Sequence, residues 1–294
     1  MIRAAAAALL LAVSGAASAA DPVMTADTCR IGWQAFAELT KQPPHLRGVA
    51  PHVTETGWCR VDWTNAALTA KDFEAMDWRA EGLLAAVENG GFPLSLEMDA
   101  RGIDPAAAFG MPLPAAHRGA FGTMTLSAQR TPATRAFSIR DLTAGFGALG
   151  GFTVSASGGG IDLSTLPMMQ FTLGGMRLRE ATLDLETTAV LSRALIVPLL
   201  RDMGGADVGT LIAALPASSI DGPGRAALAA FAAALPDAAG RLQIAARAEQ
   251  GLGVMQLVAG VTALEPGSGS PPQNALDILF NGINLTARWT PDGG

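Results

Sequence analysis

The chain has 294 residues, of which 49% are hydrophobic and 16% are charged. This composition excludes an intrinsically disordered chain, which would be poor in hydrophobic residues and rich in charge. The formal net charge of −6 argues against a nucleic-acid-binding protein, because such a protein needs a basic surface.

Residues 1–20 have the pattern of a secretory signal peptide. Arg3 precedes an unbroken apolar run over residues 4–13, and Ala17-Ser18-Ala19 provides the small residues at which a signal peptidase cleaves. The run is too short to cross a membrane, which takes about 20 residues. We predict cleavage after residue 19 or 20, export to the periplasm and a mature chain without a transmembrane segment. The alternative is an N-terminal membrane anchor.

Residues 21–55 are predicted to form an N-terminal helix, capped by Asp27, and a linker. The two cysteines of the chain are Cys29 and Cys59. Exported proteins meet oxidising conditions, in which an even number of cysteines favours a disulfide. We therefore predict a Cys29–Cys59 disulfide between this helix and the first strand. The histidines are scattered, so no metal site is indicated.

From about residue 56 to residue 187 the hydrophobic period is two. Such alternation indicates strands of an antiparallel sheet with one buried and one solvated face. The alternating runs are residues 59–63, 76–81, 94–101, 124–128, 152–156, 169–173 and 181–185. We expect a succession of strands over this whole region.

Residues 188–294 are predicted to pack on the same domain. A helical block is expected from about residue 189 to residue 235, and closing strands at residues 242–248 and 283–289. Between these strands, residues 251–264 carry no charge, and their three glycines favour a buried strand pair over a helix. A loop is expected at residues 265–273. The predicted fold class is α+β, mainly β, with one long, curved antiparallel sheet.

An internal repeat lies within residues 56–187. Three pairs of segments match in the same order: Lys71-x-Phe73-x-x-x-Asp77 with Arg135-x-Phe137-x-x-x-Asp141, Gly90-Gly91-Phe92 with Gly150-Gly151-Phe152, and Gly102-Ile103-Asp104 with Gly160-Ile161-Asp162. The order predicts a duplicated strand module, with Phe73 and Phe137 at equivalent buried positions.

The sequence motifs give no support to catalysis or to cofactor binding. Residues 145–150 fit the dinucleotide-binding fingerprint as a string, but a strand is predicted to follow them where that fingerprint requires a helix. The nucleophile-elbow, S-x-x-K and H-E-x-x-H motifs are absent from the sequence. We expect a non-enzymatic protein with no cofactor, no metal and no catalytic residue. A hydrolase with an unrecognised site is an alternative.

The predicted buried face is rich in methionine, which adapts its shape and is common at permissive apolar binding surfaces. The helical block is short beside the predicted sheet, so part of this face is expected to stay open. The open part would be an apolar groove lined by Leu94, Leu96, Met98, Met124, Leu126, Met169 and Phe171. The alternative is an ordinary core that the helices cover.

The repeated strand pattern after a signal peptide, with the closing segment Gly282-Ile283-Asn284-Leu285, resembles the periplasmic repeat proteins of the AsmA-like and YdgA-like kind. The resemblance implies a groove-forming antiparallel sheet and a role in lipid traffic or envelope homeostasis. The chain departs from those families in its short length and in lacking a membrane anchor, which favours a soluble binding or accessory role. We expect it to bind a lipid or another apolar molecule in the groove. The alternative partner is an envelope protein, for which the chain would be a scaffold.

Overall fold

The computed structural model of the protein describes residues 24–39, 48–62, 74–106, 111–114, 117, 122–202, 208–264 and 272–292. The predicted signal peptide, Trp63, Lys71 and Phe73 lie outside the described residues. In the described part the fold is α+β and mainly β, as predicted. Ten strands, β1 to β10, form one antiparallel sheet in which their order follows the sequence.

None of the described helices combines the length and the apolar character that crossing a membrane requires. The chain divides into two compact units. Unit 1 consists of Met1–Gly147 and Gly160–Thr172, and unit 2 consists of Ala148–Gly159 and Leu173–Gly294.

Unit 1 combines three described helices with six described strands. The helices are α1 (Ala26–Leu39), α2 (Leu83–Asn89) and α3 (Leu166–Thr172). The strands are β1 (His52–Val53), β2 (Cys59–Asp62), β3 (Ala75–Glu81), β4 (Ser95–Ile103), β5 (Gly122–Thr131) and β6 (Ala136–Gly145). Each strand pairs antiparallel with the next, and a 3-10 turn, Pro132–Thr134, joins β5 to β6.

Helix α1 is tied to the sheet of unit 1 by a covalent bond and by close packing. Cys29 of α1 forms the predicted disulfide with Cys59 of β2, and their Cα atoms are 5.4 Å apart. A methyl group at Gly32 would lie 2.3 Å from the ring of Trp78 on β3, so only glycine lets the helix approach this ring. The helix is capped by Thr25, whose Oγ1 accepts a hydrogen bond from the Thr28 N–H, in place of the predicted Asp27 cap.

Unit 2 has four strands: β7 (Gly150–Gly159), β8 (Arg177–Thr187), β9 (Gly240–Gly253) and β10 (Ile283–Pro291). They pair antiparallel in that order. The described helices are α4 (Ala189–Leu191), continued by a π-helical segment (Ser192–Ile196), α5 (Val197–Asp202), α6 (Val208–Ala213), α7 (Gly222–Ala234), α8 (Val254–Leu264) and α9 (Pro272–Phe280). The elements α4 to α7 confirm the predicted helical block in the described residues.

The strand expected at residues 169–173 is wrong, because this segment lies in α3 and the 3-10 turn Leu173–Gly175. Three alternating residues are too few to distinguish a strand from a helix. The local start signals favour the helix: Thr165 caps it through a hydrogen bond from the Met168 N–H to the Thr165 Oγ1, and Pro167 lies in its first turn.

The strand pair expected at residues 251–264 is also wrong. Gly251, with φ of +76°, and Gly253 lie at the end of β9, and the rest of the segment forms α8. Gly260, the one of the three glycines that lies within α8, faces α9 where the two helices pack together. The loop expected at residues 265–273 is wrong at its end, where Pro272 begins α9. Residues 265–271 lie outside the described residues.

Two matched segments of the predicted repeat adopt the same local structure in unit 1. Gly102 and Gly160 have φ of +66° and +82°, and each is followed by a buried isoleucine. Asp104 and Asp162 then each accept a hydrogen bond on Oδ1 from the backbone N–H two residues further on. Phe137 is half-buried, which corrects its predicted burial. The duplication as a whole stays a prediction, since Phe73 lies outside the described residues.

Candidate functional site

The structure separates the seven residues of the predicted groove. Leu96, Met98, Met124 and Leu126 share one face of β4 and β5, where Met98 is paired with Leu126. Leu94 precedes β4, and its N–H donates to the carbonyl oxygen of Glu81. Met169 and Phe171 lie on α3 instead of a strand, and the Phe171 side chain is 86% exposed. These two residues therefore do not extend the surface of the β4–β5 pair.

The apolar sheet face of unit 1 is largely buried. Leu126 is only 3% exposed, while Leu96 and Met124 are half-buried. The strand residues buried on this face are Cys59, Val61, Met76, Trp78, Ala80, Met98, Ala100, Leu126, Ala128, Ile139, Leu142 and Ala144. The centre of this face is therefore core, and an apolar ligand has no open surface there.

Unit 2 has a second apolar sheet face, built from rows of residues that the strand register places side by side. Residues directly opposite on neighbouring antiparallel strands point to the same face. One row is Phe152, Leu185, Leu242 and Trp289, and the next is Val154, Leu183, Ile244 and Ala287. The third row begins with Ala156, Ala181 and Ala246 and ends at Leu285 of β10. We call its first three members the alanine row.

Helices cover this face at its two ends. The first row packs in a cluster with Ile196 and with Phe231 of α7, whose ring meets Trp289 edge-on at 5.1 Å. At the other end, Leu276 of α9 and Leu252 of β9 pack in a second cluster with Leu285 and neighbouring residues. The middle of the face, between these two clusters, is only half-buried.

The alanine row forms the floor of this half-buried middle. Each alanine carries a single methyl group, whereas Val154, Leu183 and Ile244 in the adjacent row extend further from the sheet. Adjacent strands lie about 4.8 Å apart, so the row crosses β7, β8 and β9 as a trough roughly 10 Å long. Ala156 and Ala181 belong to neither of the two core clusters. The trough is therefore a half-buried part of the sheet's apolar surface in unit 2.

Helix α8 presents further apolar side chains beside this region of unit 2. It carries no charged residue, and its Met255 and Val258 side chains are 68% and 53% exposed. Ile278 of α9 is exposed as well. Met255 and Val258 are three residues apart on α8, so their exposed side chains are neighbours and form a small apolar patch.

The opposite face of the same strands is polar. Arg241 forms two hydrogen bonds with Asp184, of 2.7 Å from Nε and 2.5 Å from Nη2, and Gln243 donates a third to the same carboxylate. The hydrogen bonds from Arg241 hold the pKa of the Asp184 carboxyl below its usual value, against the opposing effect of partial burial. This pattern makes the polar face a solvated surface held by cross-strand ion pairs.

Unit 1 has a comparable polar network. Asp77 of β3 accepts hydrogen bonds from Arg60 of β2 and from Arg101 of β4. The hydrogen bond to Asp77 raises the pKa of the Arg60 guanidinium. On the same face, Thr125 and Thr143 both donate to Asp141. These carboxylates are engaged with neighbouring strands, which is a structural role.

A shallow, solvent-open depression lies between the β5–β6 turn and residues 161–163 in unit 1, with room for about one water molecule. It is lined by Arg130, Thr131, Pro132, Arg135, Ala136, Ile161, Asp162 and Leu163. Arg130 is half-buried, and its Nε is fully buried without a hydrogen-bond partner. No pattern in the sequence distinguishes Arg130 from the other arginines, so sequence reasoning missed it.

The described residues contain no cluster of three or more histidine, cysteine or acidic side chains that could hold a metal ion. Residues 145–150 lead into strand β7, as predicted, so they lack the helix that would bind a pyrophosphate. Comparisons of this chain with protein-family models, with curated proteins and with solved structures gave no match.

Proposed function

We propose that the protein binds an apolar ligand, such as a lipid acyl chain, on the half-buried sheet face of unit 2, without catalysing a reaction. The observation that carries the proposal is the alanine row. Ala156, Ala181 and Ala246 lie side by side next to the row of larger residues Val154, Leu183 and Ile244, and the helix-packed clusters leave Ala156 and Ala181 outside. A trough of methyl groups accepts a flexible apolar chain without demanding a specific polar contact.

The energetics allow modest affinity. Burial of one methylene contributes about 0.8 kcal/mol, so ten of them would contribute roughly 8 kcal/mol. Association costs at least about 4 kcal/mol in lost translational and rotational freedom. The net free energy of binding is then at most about 4 kcal/mol, which corresponds to a Kd of about 1 mM or weaker. Recognition would depend on the bulk and length of the chain and only weakly on charge.

The proposal includes the compartment in which the protein acts. The Cys29–Cys59 disulfide fits an oxidising compartment, because cytosolic thiols are kept reduced. Together with the signal-peptide pattern of residues 1–20, it supports export to the periplasm. An exported protein that carries an apolar chain would serve lipid traffic or envelope homeostasis.

A matched pair of substitutions on β9 tests the ligand site. Ala246 lies in the alanine row, and Ala245 points to the opposite, polar face, one residue away on the same strand. Titration with a fluorescent fatty acid should show saturable uptake by the wild type. We expect Ala246→Phe to weaken the uptake at least tenfold by filling the trough, and Ala245→Phe to leave it unchanged.

Circular dichroism of both variants checks that they fold. If Ala246→Phe does not fold, Ala156→Val and its opposite-face neighbour Ser157→Val on β7 make the same comparison. A wild type that takes up no probe at about 5 mM, which exceeds the expected Kd, would refute the proposal. Equal weakening by the two members of a pair would also refute it.

A second candidate function, an envelope scaffold that binds a protein partner, is favoured by the exposed Met255 and Val258 of α8. Native mass spectrometry of the protein isolated from the periplasm distinguishes the two functions. A co-purified lipid supports the ligand proposal. A stoichiometric polypeptide that is present with the wild type and lost with Val258→Asp supports the scaffold.

A further inference from the structure

The sequence contains two Asn-Gly dipeptides, Asn89-Gly90 in unit 1 and Asn281-Gly282 in unit 2. In such a pair the backbone nitrogen of the glycine can attack the side chain of the asparagine, because glycine has no Cβ to hinder the approach. The attack closes a five-membered ring and needs only rotation about bonds of the asparagine. Whether it occurs in a folded chain depends on what holds the glycine nitrogen.

The nitrogen of Gly90 is held in the C-terminal turn of α2. Its N–H donates to the carbonyl oxygens of Ala86 and Val87. The Asn89 side chain donates from Nδ2 to the carbonyl oxygen of Ala85, at 2.7 Å. Both reacting groups are therefore bonded to the helix backbone, and the last turn of α2 must open before they can meet. Asn89 is exposed, so exposure alone does not make it reactive.

The Gly282 nitrogen lacks these restraints. In the described part of the chain its N–H donates to no backbone carbonyl. Asn281 and Gly282 are both exposed in the turn between α9 and β10, and a Cβ at Gly282 would have no atom within 4 Å apart from its chain neighbours. The carbonyl oxygen of the same peptide, on Asn281, accepts a hydrogen bond of 3.0 Å from Gln256 Nε2. This bond polarises the peptide, which makes its N–H easier to deprotonate.

We propose that Asn281 is a self-modification site, at which the chain converts its own asparagine into a mixture of aspartate and isoaspartate. Water removes the proton from the Gly282 nitrogen, which then bonds to Cγ of Asn281. The Cγ–Nδ2 bond breaks, and Nδ2 takes up a proton from water and leaves as ammonia. Addition of one water to either carbonyl of the resulting succinimide opens the ring, and the nitrogen regains its proton. The site is independent of the apolar trough.

The product adds a negative charge just after the C-terminus of α9, which ends at Phe280. The carbonyl groups at a helix C-terminus disfavour a negative charge, and Asp277 already lies one turn earlier. Isoaspartate also lengthens the backbone by one methylene shortly before β10. The modification is therefore expected to loosen α9, whose Leu276 packs in the cluster at one end of the apolar face.

Mass spectrometry of proteolytic peptides from the folded full chain, incubated at mildly alkaline pH, measures both dipeptides at once. We expect Asn281 to be converted at least tenfold faster than Asn89, with isoaspartate among its products, because isoaspartate forms only through the ring. In urea the two sites should react at similar rates, since unfolding releases the Gly90 nitrogen. Equal rates in the folded chain, or aspartate as the only product at Asn281, would overturn the proposal. So would a folded Asn281 that stays unmodified while the unfolded chain reacts, or a tenfold difference that persists in urea.

Gly282→Ala adds one methyl group beside the attacking nitrogen and should slow the conversion of Asn281 at least tenfold, with Asn89 unchanged. Gly282 has a φ of +73°, so circular dichroism checks that the variant folds. If it does not fold, the same loss is required of Asn281→Gln, whose longer side chain disfavours ring closure. An unchanged rate in the folded variant overturns the mechanism. Hydrogen exchange in α9 should be faster in the modified form, separated by anion exchange, and equal exchange would exclude the loosening of α9.

Discussion

Gly260 of α8 packs so closely against Leu279 of α9 that a methyl group at Gly260 would lie 2.1 Å from the Leu279 Cγ. The two helices are also joined by Gln256, whose Nε2 donates to the carbonyl oxygens of Ile278 and Asn281. Because Gly260 has no side chain, α8 and α9 can pack this closely. The packing offsets the low helix propensity of the glycine.

We expect Gly260→Ala to destabilise the protein by up to about 2 kcal/mol. Alanine improves helix propensity by about 1 kcal/mol, but overpacking against Leu279 costs about 1–3 kcal/mol and prevails where the contact is this short. Urea unfolding measures the difference. Leu279→Ala in the same chain should recover part of the loss, and a double-mutant cycle without coupling would contradict the packing.

The disulfide should contribute about 3–4 kcal/mol to the free energy of unfolding, because it closes a loop of 30 residues. We expect the double variant Cys29→Ala/Cys59→Ala to lose this amount in urea unfolding. Thiol titration of the unfolded, unreduced wild type should detect no free thiol. Two reactive thiols per chain would contradict the bond.

The ion pair between Asp184 and Arg241 should make stability depend on pH in the acidic range. The pKa of Asp184 is depressed in the folded protein, so the unfolded state binds the proton more readily. The ion pair therefore contributes fully to the free energy of unfolding when the pH is above the Asp184 pKa of the unfolded state, about 3.9. This contribution is lost as the pH falls through the lower pKa of the folded state. Urea midpoints of wild type and Asp184→Asn should differ at pH 6 and converge towards pH 2. A difference that is constant over this range would exclude the linkage.

Leu126 and Phe171, which the sequence assigns to one groove, should respond oppositely to truncation. Leu126 is 3% exposed on β5, so Leu126→Ala should cost about 2–5 kcal/mol. Phe171 is 86% exposed on α3, so Phe171→Ala should change stability by no more than about 0.5 kcal/mol. Chemical denaturation of the two variants gives both values. A large loss for Phe171→Ala would show that this side chain is covered in solution.

The alternation of apolar and polar residues predicted β2 to β5 and β7 to β10 because these strands have one apolar and one polar face. It did not identify β6 directly, since a bulge opposite Ser127 and Ala128 leaves Arg140 out of the pairing. The bulge puts Ile139 and Leu142 on one face although they are three residues apart, which breaks the period of two.

The candidate sites were harder to predict than the strands. The alanine row exists only through the register of three strands, and Ala156 and Ala246 are ninety residues apart in the sequence (246 − 156 = 90). Local sequence patterns do not contain this information. The misassigned helix α8 shows the same limit, since the contact of Gly260 with Leu279 offsets the low helix propensity of the glycine. The other misassigned helix, α3, had local start signals in Thr165 and Pro167 that the short alternating run obscured.

The strand order, which follows the sequence from β1 to β10, also bears on how fast the sheet can assemble. Each strand pairs with its neighbours in the sequence, which limits the sequence separation of the contacts and favours fast folding. The longest connection between paired strands is formed by residues 188–239, between Thr187 of β8 and Gly240 of β9. We expect the pairing of β8 with β9 to be the slowest step of folding, so the hydrogen bonds between these two strands should be the last to gain protection from hydrogen exchange.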